Sequence, residues 1–285
     1  MSFPKFWPAP MEGVFTESFI RAANELHLTK VWMTSFLRLS ESLPKKKVFK
    51  EFIAPYKETS LPVSAQLMGR DPELMAQGAY AMAEAGADEV NLNFGCPVPR
   101  VIKGRCGGAM LKEITLMAQI VAAVKKDLPE LPVSVKLRSG FDSPCEMEKI
   151  IPTLKDAGTD RFFFHYRTVR ELYASGIPGR EERFAKMIAL AGNTPVVLNG
   201  DFAGVDETRK QMNCFQCEAV MLGRHFLSDP GVLRRLEGDS DRTKEEFYYA
   251  LVRNGLAGEA LKGMKRWIFG SWNYELPPRE HANGK

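Results

Sequence analysis

A chain of 285 residues is long enough for one α/β barrel of about 250 residues with a small appendage, and too short for two such units. Its 45% hydrophobic and 26% charged content excludes a disordered chain and fits a protein with a substantial core. No stretch approaches the roughly 20 apolar residues of a membrane span and Met1–Pro10 lacks a signal-peptide core, so a cytoplasmic protein is expected, while a formal charge of +4 permits an anionic partner without requiring one.

Short apolar runs rich in β-formers alternate with helical stretches along most of the chain. In order, the runs are Phe6–Met11, Val31–Phe36, Val63–Met68, Glu89–Phe94, Val133–Leu137, Arg161–His165, Pro195–Leu198 and Ala219–Leu222. Helices are expected over Pro72–Ala85, Ile114–Lys126, Glu146–Ala157 and Arg180–Leu190, and several runs open after a Gly or Pro signal such as "EAGADEV" or "GNTPVV". Eight such units predict a (β/α)8 TIM barrel over residues 1–236; an open doubly wound sheet is the alternative, which the count of eight disfavours. A barrel helix ending near Leu236 and the polar linker "EGDSDRT" then lead to a second helical stretch, Lys244–Trp272, in a small C-terminal helical domain over 237–285. There Arg253, Lys262, Lys265 and Arg266 mix with Phe247, Tyr248, Tyr249, Trp267 and Trp272, a composition suited either to RNA or to a plain amphipathic cap.

In a TIM barrel the working groups stand at the C-terminal ends of the strands. Those ends carry Pro10-Met11-Glu12-Gly13, Thr34-Ser35-Phe36, Gln66, Asn93 with Gly95-Cys96-Pro97, Lys136 with Arg138, His165 with Arg167, Asn199-Gly200-Asp201 and Gly223-Arg224. The glycine turns after the seventh and eighth strands, with Arg224 beside them, suit a phosphate. Lys136 sets an ammonium in the barrel mouth, where it needs an anion such as the N1–C2=O edge of a reduced flavin, or serves as a Schiff-base lysine. Gln66 and Asn93 offer amides for the edge of an isoalloxazine ring, and His165 is either a core histidine or a ligand contact. Arg138 and Arg167 are candidates for holding substrate carbonyls or a phosphate.

The five cysteines are expected as free thiols. Cys96 and Cys106 share one Gly/Pro-rich loop, and position alone does not rank them. Cys214-x-x-Cys217 lacks the second pair a zinc site needs, so no metal is expected, and His27, His225 and His281 have no context that assigns them a role.

Taken together, "APMEGV", "QLMG", "NLNFGCPVPRVIKGRCGGAML", "VSVKLRSGFD", "HYRT", "VLNGD" and "AVMLGR", in unbroken order from about Pro8 to Leu227, resemble the dihydrouridine synthase family. The likeness is greatest to bacterial members whose barrel opens with "APMEGV", which points to position 16 of tRNA. The resemblance implies an FMN-bearing barrel followed by a helical tRNA-binding domain, with NADPH as reductant and uridine in tRNA reduced to dihydrouridine. It implies Cys96 as the proton donor to uracil C5, with hydride passing from flavin N5 to C6, and FMN contacts from Gln66, Lys136, His165, Asn199, Gly223 and Arg224. Pro10, Met11, Asn93, Gly200 and Asp201 join the cofactor set by their strand-end positions, and Arg138, Arg167, Lys262, Lys265 and Arg266 are the expected substrate contacts. No obligate protein partner is expected. The chain departs from the family pattern at Ser35, where relatives carry a carboxylate, at Tyr166, where they carry Gly or Ala, and in a shorter C-terminal domain; Cys106 stands where relatives have a small residue and is not expected to be catalytic. Rival readings are an FMN oxidoreductase for a free dihydropyrimidine or dihydroorotate, a lyase using Lys136 covalently, and a tRNA-binding protein without turnover.

Overall fold

The computed structural model describes residues 4–217, 219–271 and 273–275. Its strands are β1 (Phe6–Pro8), β2 (Trp32–Arg38), β3 (Val63–Met68), β4 (Glu89–Phe94), β5 (Val133–Arg138), β6 (Arg161–His165), β7 (Val196–Asn199) and β8 (Ala219–Leu222). All pair in parallel, in the order β1-β8-β7-β6-β5-β4-β3-β2, and the two ends of this sheet, β1 and β2, lie against each other. The fold is the expected (β/α)8 TIM barrel.

Side chains alternate across each strand, and both faces are covered. Outward residues such as Val63, Ala65, Leu67, Val90, Leu92 and Phe94 join the surrounding helices in the main hydrophobic cluster. The inward face is divided. Trp7, Ala9, Val31, Met33, Phe163, Val197 and Met221 fill one side with apolar atoms, Trp7 meeting Phe163 edge to face at 5.1 Å. On the side built by β3, β4 and β5, the inward residues Ser64, Gln66, Glu89, Asn91, Asn93 and Ser134 are buried, polar and bonded to one another.

Local chemistry sets the boundaries. The first strand is shorter than expected because Pro8 and Pro10 carry no N–H; Ala9 makes the last ladder bond, to Leu222 O at 2.8 Å. A bulge in β2 between Met33 and Phe36 turns Ser35 toward the barrel mouth, with Thr34 Oγ1 accepting from Gln66 N–H at 2.9 Å. The Pro72–Glu84 helix starts where Asp71 accepts from Leu74 N–H and Pro72 occupies its first turn.

Two expectations for the C-terminal part are corrected. The helix after β8 is two pieces, Arg224–Ser228 and Val232–Glu237, divided at Pro230-Gly231. The stretch expected as Lys244–Trp272 is also two helices, Lys244–Arg253 and Gly258–Phe269, parted where Gly255 takes φ +86°. Trp272 and His281 lie outside the described residues. Thr243 and Glu246 cap the first helix reciprocally, and Phe247, Ala250, Leu251, Met264 and Ile268 belong to the barrel's main cluster. Phe247 meets Phe19 of the Glu17–Glu25 helix at 5.3 Å, so the helical pair is docked on the barrel. Among the described residues no helix is long and apolar enough to cross a membrane.

Candidate active site

A cavity of about 950 Å³ opens at the C-terminal ends of the strands, near the upper end of the roughly 300–1,000 Å³ usual for small-molecule sites. Pro10, Met11, Gln66, Asn93, Lys136, His165, Asn199, Gly200, Asp201, Gly223 and Arg224 all line it, as do Cys96 and Arg138. The lining also holds Tyr173, which sequence reasoning left out, His225, to which it gave no role, and Trp267 of the Gly258–Phe269 helix, which it named only among the aromatics of the C-terminal stretch.

On β5, Lys136 Nζ donates to Asn199 Oδ1 at 3.1 Å, and Asn199 Nδ2 donates to Met221 O at 2.9 Å, which holds the amide with its oxygen toward the lysine. Burial, aided by the neighbouring Arg138 charge, lowers the Lys136 pKa to about 8, so an anion beside it is strongly favoured. His165, at the end of β6, is held neutral by burial and then by Arg138, Lys136 and Arg167. Its Nδ1 accepts from Arg167 N–H at 3.2 Å, which leaves Nε2 as the donor.

The two loop thiols separate clearly. Cys96 borders the cavity, and both its N–H and that of Gly95 donate to Asn93 Oδ1, at 3.0 and 3.1 Å. Burial pushes its thiol up, so it stays protonated at neutral pH. Cys106 is buried away from the cavity among Met68 and Val101, with Sγ donating to Gly104 O at 3.2 Å. Gly107 lies against the Cys96 loop: at φ +56°, a Cβ there would come within 3.0 Å of Cys96 Cβ.

Arg138 acts first as a brace. Its Nε donates to Gly95 O at 3.0 Å and its Nη1 to Thr168 O and Leu172 O at 2.9 and 2.6 Å, tying the Cys96 loop to the loop after β6. These bonds engage Nε and Nη1 but not Nη2. Tyr173, 56% exposed, lies with its ring 5.1 Å from the guanidinium.

Arg167 is a correction: at 0% exposure and outside the cavity lining, it cannot touch a substrate. Its guanidinium pairs with the Asp201 carboxylate and Ala174 O. Asp201 also receives Tyr166 OH at 2.8 Å and Arg224 Nη2 at 2.7 Å; burial opposes its ionisation, but these bonds hold its carboxyl near 2. Burial and Asp201 push the Tyr166 phenol up to about 12. Thus Tyr166 is a strut against the turn after β7. The turn needs glycine at 200, where φ is +140° and a Cβ would meet the Tyr166 ring at 2.7 Å. His225 Nε2 accepts from Gly204 N–H at 2.9 Å and braces the same loop, a role no sequence motif announced.

Lys262, Lys265 and Arg266 share the Gly258–Phe269 helix as expected, outside the cavity. Lys262 is exposed and pairs with Glu259 at 2.6 Å; Met264 and Ile268 form the buried face, and Trp267, 48% exposed, reaches the cavity rim.

Comparison with known proteins follows this geometry. The profile of the dihydrouridine synthase (Dus) family matches residues 8–261. The tRNA-dihydrouridine(16) synthase of Aquipseudomonas alcaligenes is 31% identical over 234 residues, covering 80% of this chain and 73% of that protein. Its counterpart in Pseudomonas putida is 33% identical over 233 residues, covering 78% and 70%. Among solved structures, morphinone reductase superposes with a TM-score of 0.58 at 14% identity, covering 85% of this chain and 88% of that one, a likeness of fold. The chain belongs to the dihydrouridine synthase family.

Proposed function

We propose that the protein reduces uridine to 5,6-dihydrouridine in tRNA, with FMN as its cofactor, NADPH as the reductant of FMN and Cys96 as the proton donor. The observation that carries this reading is the convergence on one cavity of Lys136, the Gln66, Asn93 and Asn199 amides, the Gly200 and Gly223 turns, and a protonated thiol at Cys96. This donor set fits FMN. Lys136 supplies the cation for the anionic ring edge, and Gln66 and Asn93 supply amides for the pyrimidine edge. The turns at Gly200 and Gly223, with Arg224, suit the phosphate, and Pro10 and Met11 wall the ring. Asp201 contributes here through its backbone, since its carboxylate is occupied by three donors.

FMN, once reduced by NADPH, supplies the hydride for uracil C6. The chain's own part in the chemistry is to hold a proton on Cys96 Sγ and release it to C5. A buried thiol with a raised pKa is suited to this acid role at neutral pH. Asn93 and Arg138 fix the loop that carries the thiol. The target uridine must leave its stack to enter the cavity.

The names of the relatives, both tRNA-dihydrouridine(16) synthases, support tRNA as substrate and position 16 as its target. In this reading the barrel, residues 1–236, carries the chemistry and residues 237–285 meet the RNA. Lys262, Lys265 and Arg266 then contact phosphates while Arg138 meets the base. The protein would work in the cytoplasm without an obligate protein partner. Purification tests the cofactor directly: a yellow protein with one FMN per chain is expected, and a colourless protein that cannot be reconstituted with FMN would exclude the proposal.

A further inference from the structure

The polar half of the barrel interior is a single chain of hydrogen bonds with a fixed direction. Along β4, Glu89, Asn91 and Asn93 recur at every second position and all face inward, a rise of roughly 13 Å at about 3.3 Å per residue. Strand register sets Ser64 beside Glu89, Gln66 beside Asn91 and Ser134 on the other side of Asn91. At the top, the backbone N–H groups of Gly95 and Cys96 donate to Asn93 Oδ1, so its Nδ2 must donate onward, to Gln66 Oε1 at 2.8 Å. Gln66 Nε2 therefore donates to Asn91 Oδ1 at 2.8 Å, and Asn91 Nδ2 to Ser134 Oγ at 2.8 Å. The serine hydroxyl is then left to donate to Glu89 Oε1 at 2.6 Å, where Ser64 also donates at 2.7 Å while Arg161 pairs with Oε2.

The upper end is unambiguous, since a backbone N–H only donates. At the lower end burial pushes the Glu89 carboxyl up, while the paired Arg161 and the Ser134 and Ser64 hydroxyls oppose that shift; with Arg161 on Oε2, the ionised carboxylate only accepts. Between the two ends lie three amides and one serine, Ser134, each able to point either way, with Ser64 joining only at Glu89. Each end biases such a chain, and the two together hold it in one sense, because buried amides with a partner of the wrong sense are costly.

We infer that Glu89 is a remote positioning residue for the active site: from the floor of the barrel it sets the direction of the Asn91, Gln66 and Asn93 amides and so fixes the loop that carries Cys96. The carboxylate forces Ser134 to donate downward. That in turn makes Gln66 present its oxygen to Asn93 Nδ2, which leaves Asn93 Oδ1 facing the N–H groups of Gly95 and Cys96. An amide at position 89 can donate to Ser134 and admit the opposite sense throughout. Asn93 would then turn its NH2 toward the N–H groups of Gly95 and Cys96 and release the loop. A carboxylate at position 91 restores the original sense, because it accepts from both Ser134 and Gln66. The consequence for catalysis rests on the function proposed above, whereas the effect on the loop does not.

The experiment compares wild type, Glu89→Gln and the double variant Glu89→Gln/Asn91→Asp. Hydrogen–deuterium exchange is measured on the flavin-free chain and uridine reduction on the FMN-loaded enzyme. In Glu89→Gln, exchange in the peptide spanning Gly95 and Cys96 should quicken by about tenfold, the equivalent of one net hydrogen bond, with peptides of the outer helices unchanged. Uridine reduction should slow while reduction of FMN by NADPH does not, and Asn91→Asp should restore both the loop and the rate. Ser134→Ala, which cuts the chain without touching a charge, should loosen the same peptide. Exchange that quickens everywhere marks Glu89 as a general stability element and overturns the inference. So does a Cys96 peptide unchanged in Glu89→Gln, or an Asn91→Asp change that restores nothing. Failure of the wild type to bind FMN would instead strike the proposed function and leave the exchange result standing.

Discussion

The barrel mouth and the C-terminal helical pair hold their candidate side chains in opposite ways. At the mouth the polar side chains are committed: the buried Asn93, Asn199 and Arg138 and the more exposed Asp201 each make two or more internal bonds. On the Gly258–Phe269 helix, Arg266 and Trp267 are exposed, and Lys262 has only a surface ion pair with Glu259, a contact worth little. Chemistry at one atom needs fixed geometry, whereas a phosphate backbone is met by charges free to adjust. Substitutions at the mouth should therefore act sharply on chemistry or cofactor, and those on the helix gradually and in a salt-dependent manner.

The largest effect is expected at Cys96. Cys96→Ala should slow uridine reduction by about a hundredfold or more, as loss of a general acid does, with reduction of FMN by NADPH nearly normal. Cys106→Ala should be mild, since that thiol lies outside the cavity. Stopped-flow measurement of the two half-reactions decides the point, and equal losses in both variants would erase the distinction between the thiols. A falling limb of uridine reduction is also expected above the ordinary thiol range, where Cys96 loses its proton, and it should vanish in Cys96→Ala.

Next come the cofactor cations. Arg224→Ala should weaken FMN binding by roughly tenfold to a hundredfold, the scale of a lost charge-assisted bond. Lys136 with a pKa of about 8 adds a pH signature. Below that value it is already charged, and above it a proton must be taken up on binding an anion. FMN affinity should therefore fall by up to about tenfold per unit as pH rises past 8, and Lys136→Met should flatten the profile. An identical slope in wild type and variant, by fluorescence titration of the flavin-free protein, would remove Lys136 from cofactor binding.

The smallest effect per residue belongs to the helix. Charge reversal at Lys262, Lys265 and Arg266 should raise the KM for tRNA and lower the log–log salt slope by roughly one per lost phosphate contact, leaving FMN content unchanged. Wild-type affinity and slope in the triple variant would make the helical pair a structural cap.

The parts legible in the sequence were those with local signatures. Strand periodicity located all eight strands to within a few residues, and strand-end polarity found the cavity wall, because a TIM barrel converts both into position. Arg167 was misjudged because a strand-end arginine reads the same whether it lines the cavity or, as here, is fully buried and paired with Asp201. The role of Tyr166 was visible only once Asp201 was seen beside it. Glu89 and Asn91 went unread inside an apparently apolar run, since polar residues at alternate positions reveal a buried network only when the neighbouring strands are in register. The breaks at Pro230 and Gly255 were readable from residue type, and were missed because the helical pattern on either side continues.

The central claim, reduction of uridine in tRNA with Cys96 as acid, is met most directly by nucleoside-resolved mapping of tRNA from cells lacking this chain. Dihydrouridine should be missing at one position, position 16, and return on expression of the wild-type chain but not of Cys96→Ala. Unchanged dihydrouridine at every position in the deletion strain would contradict it.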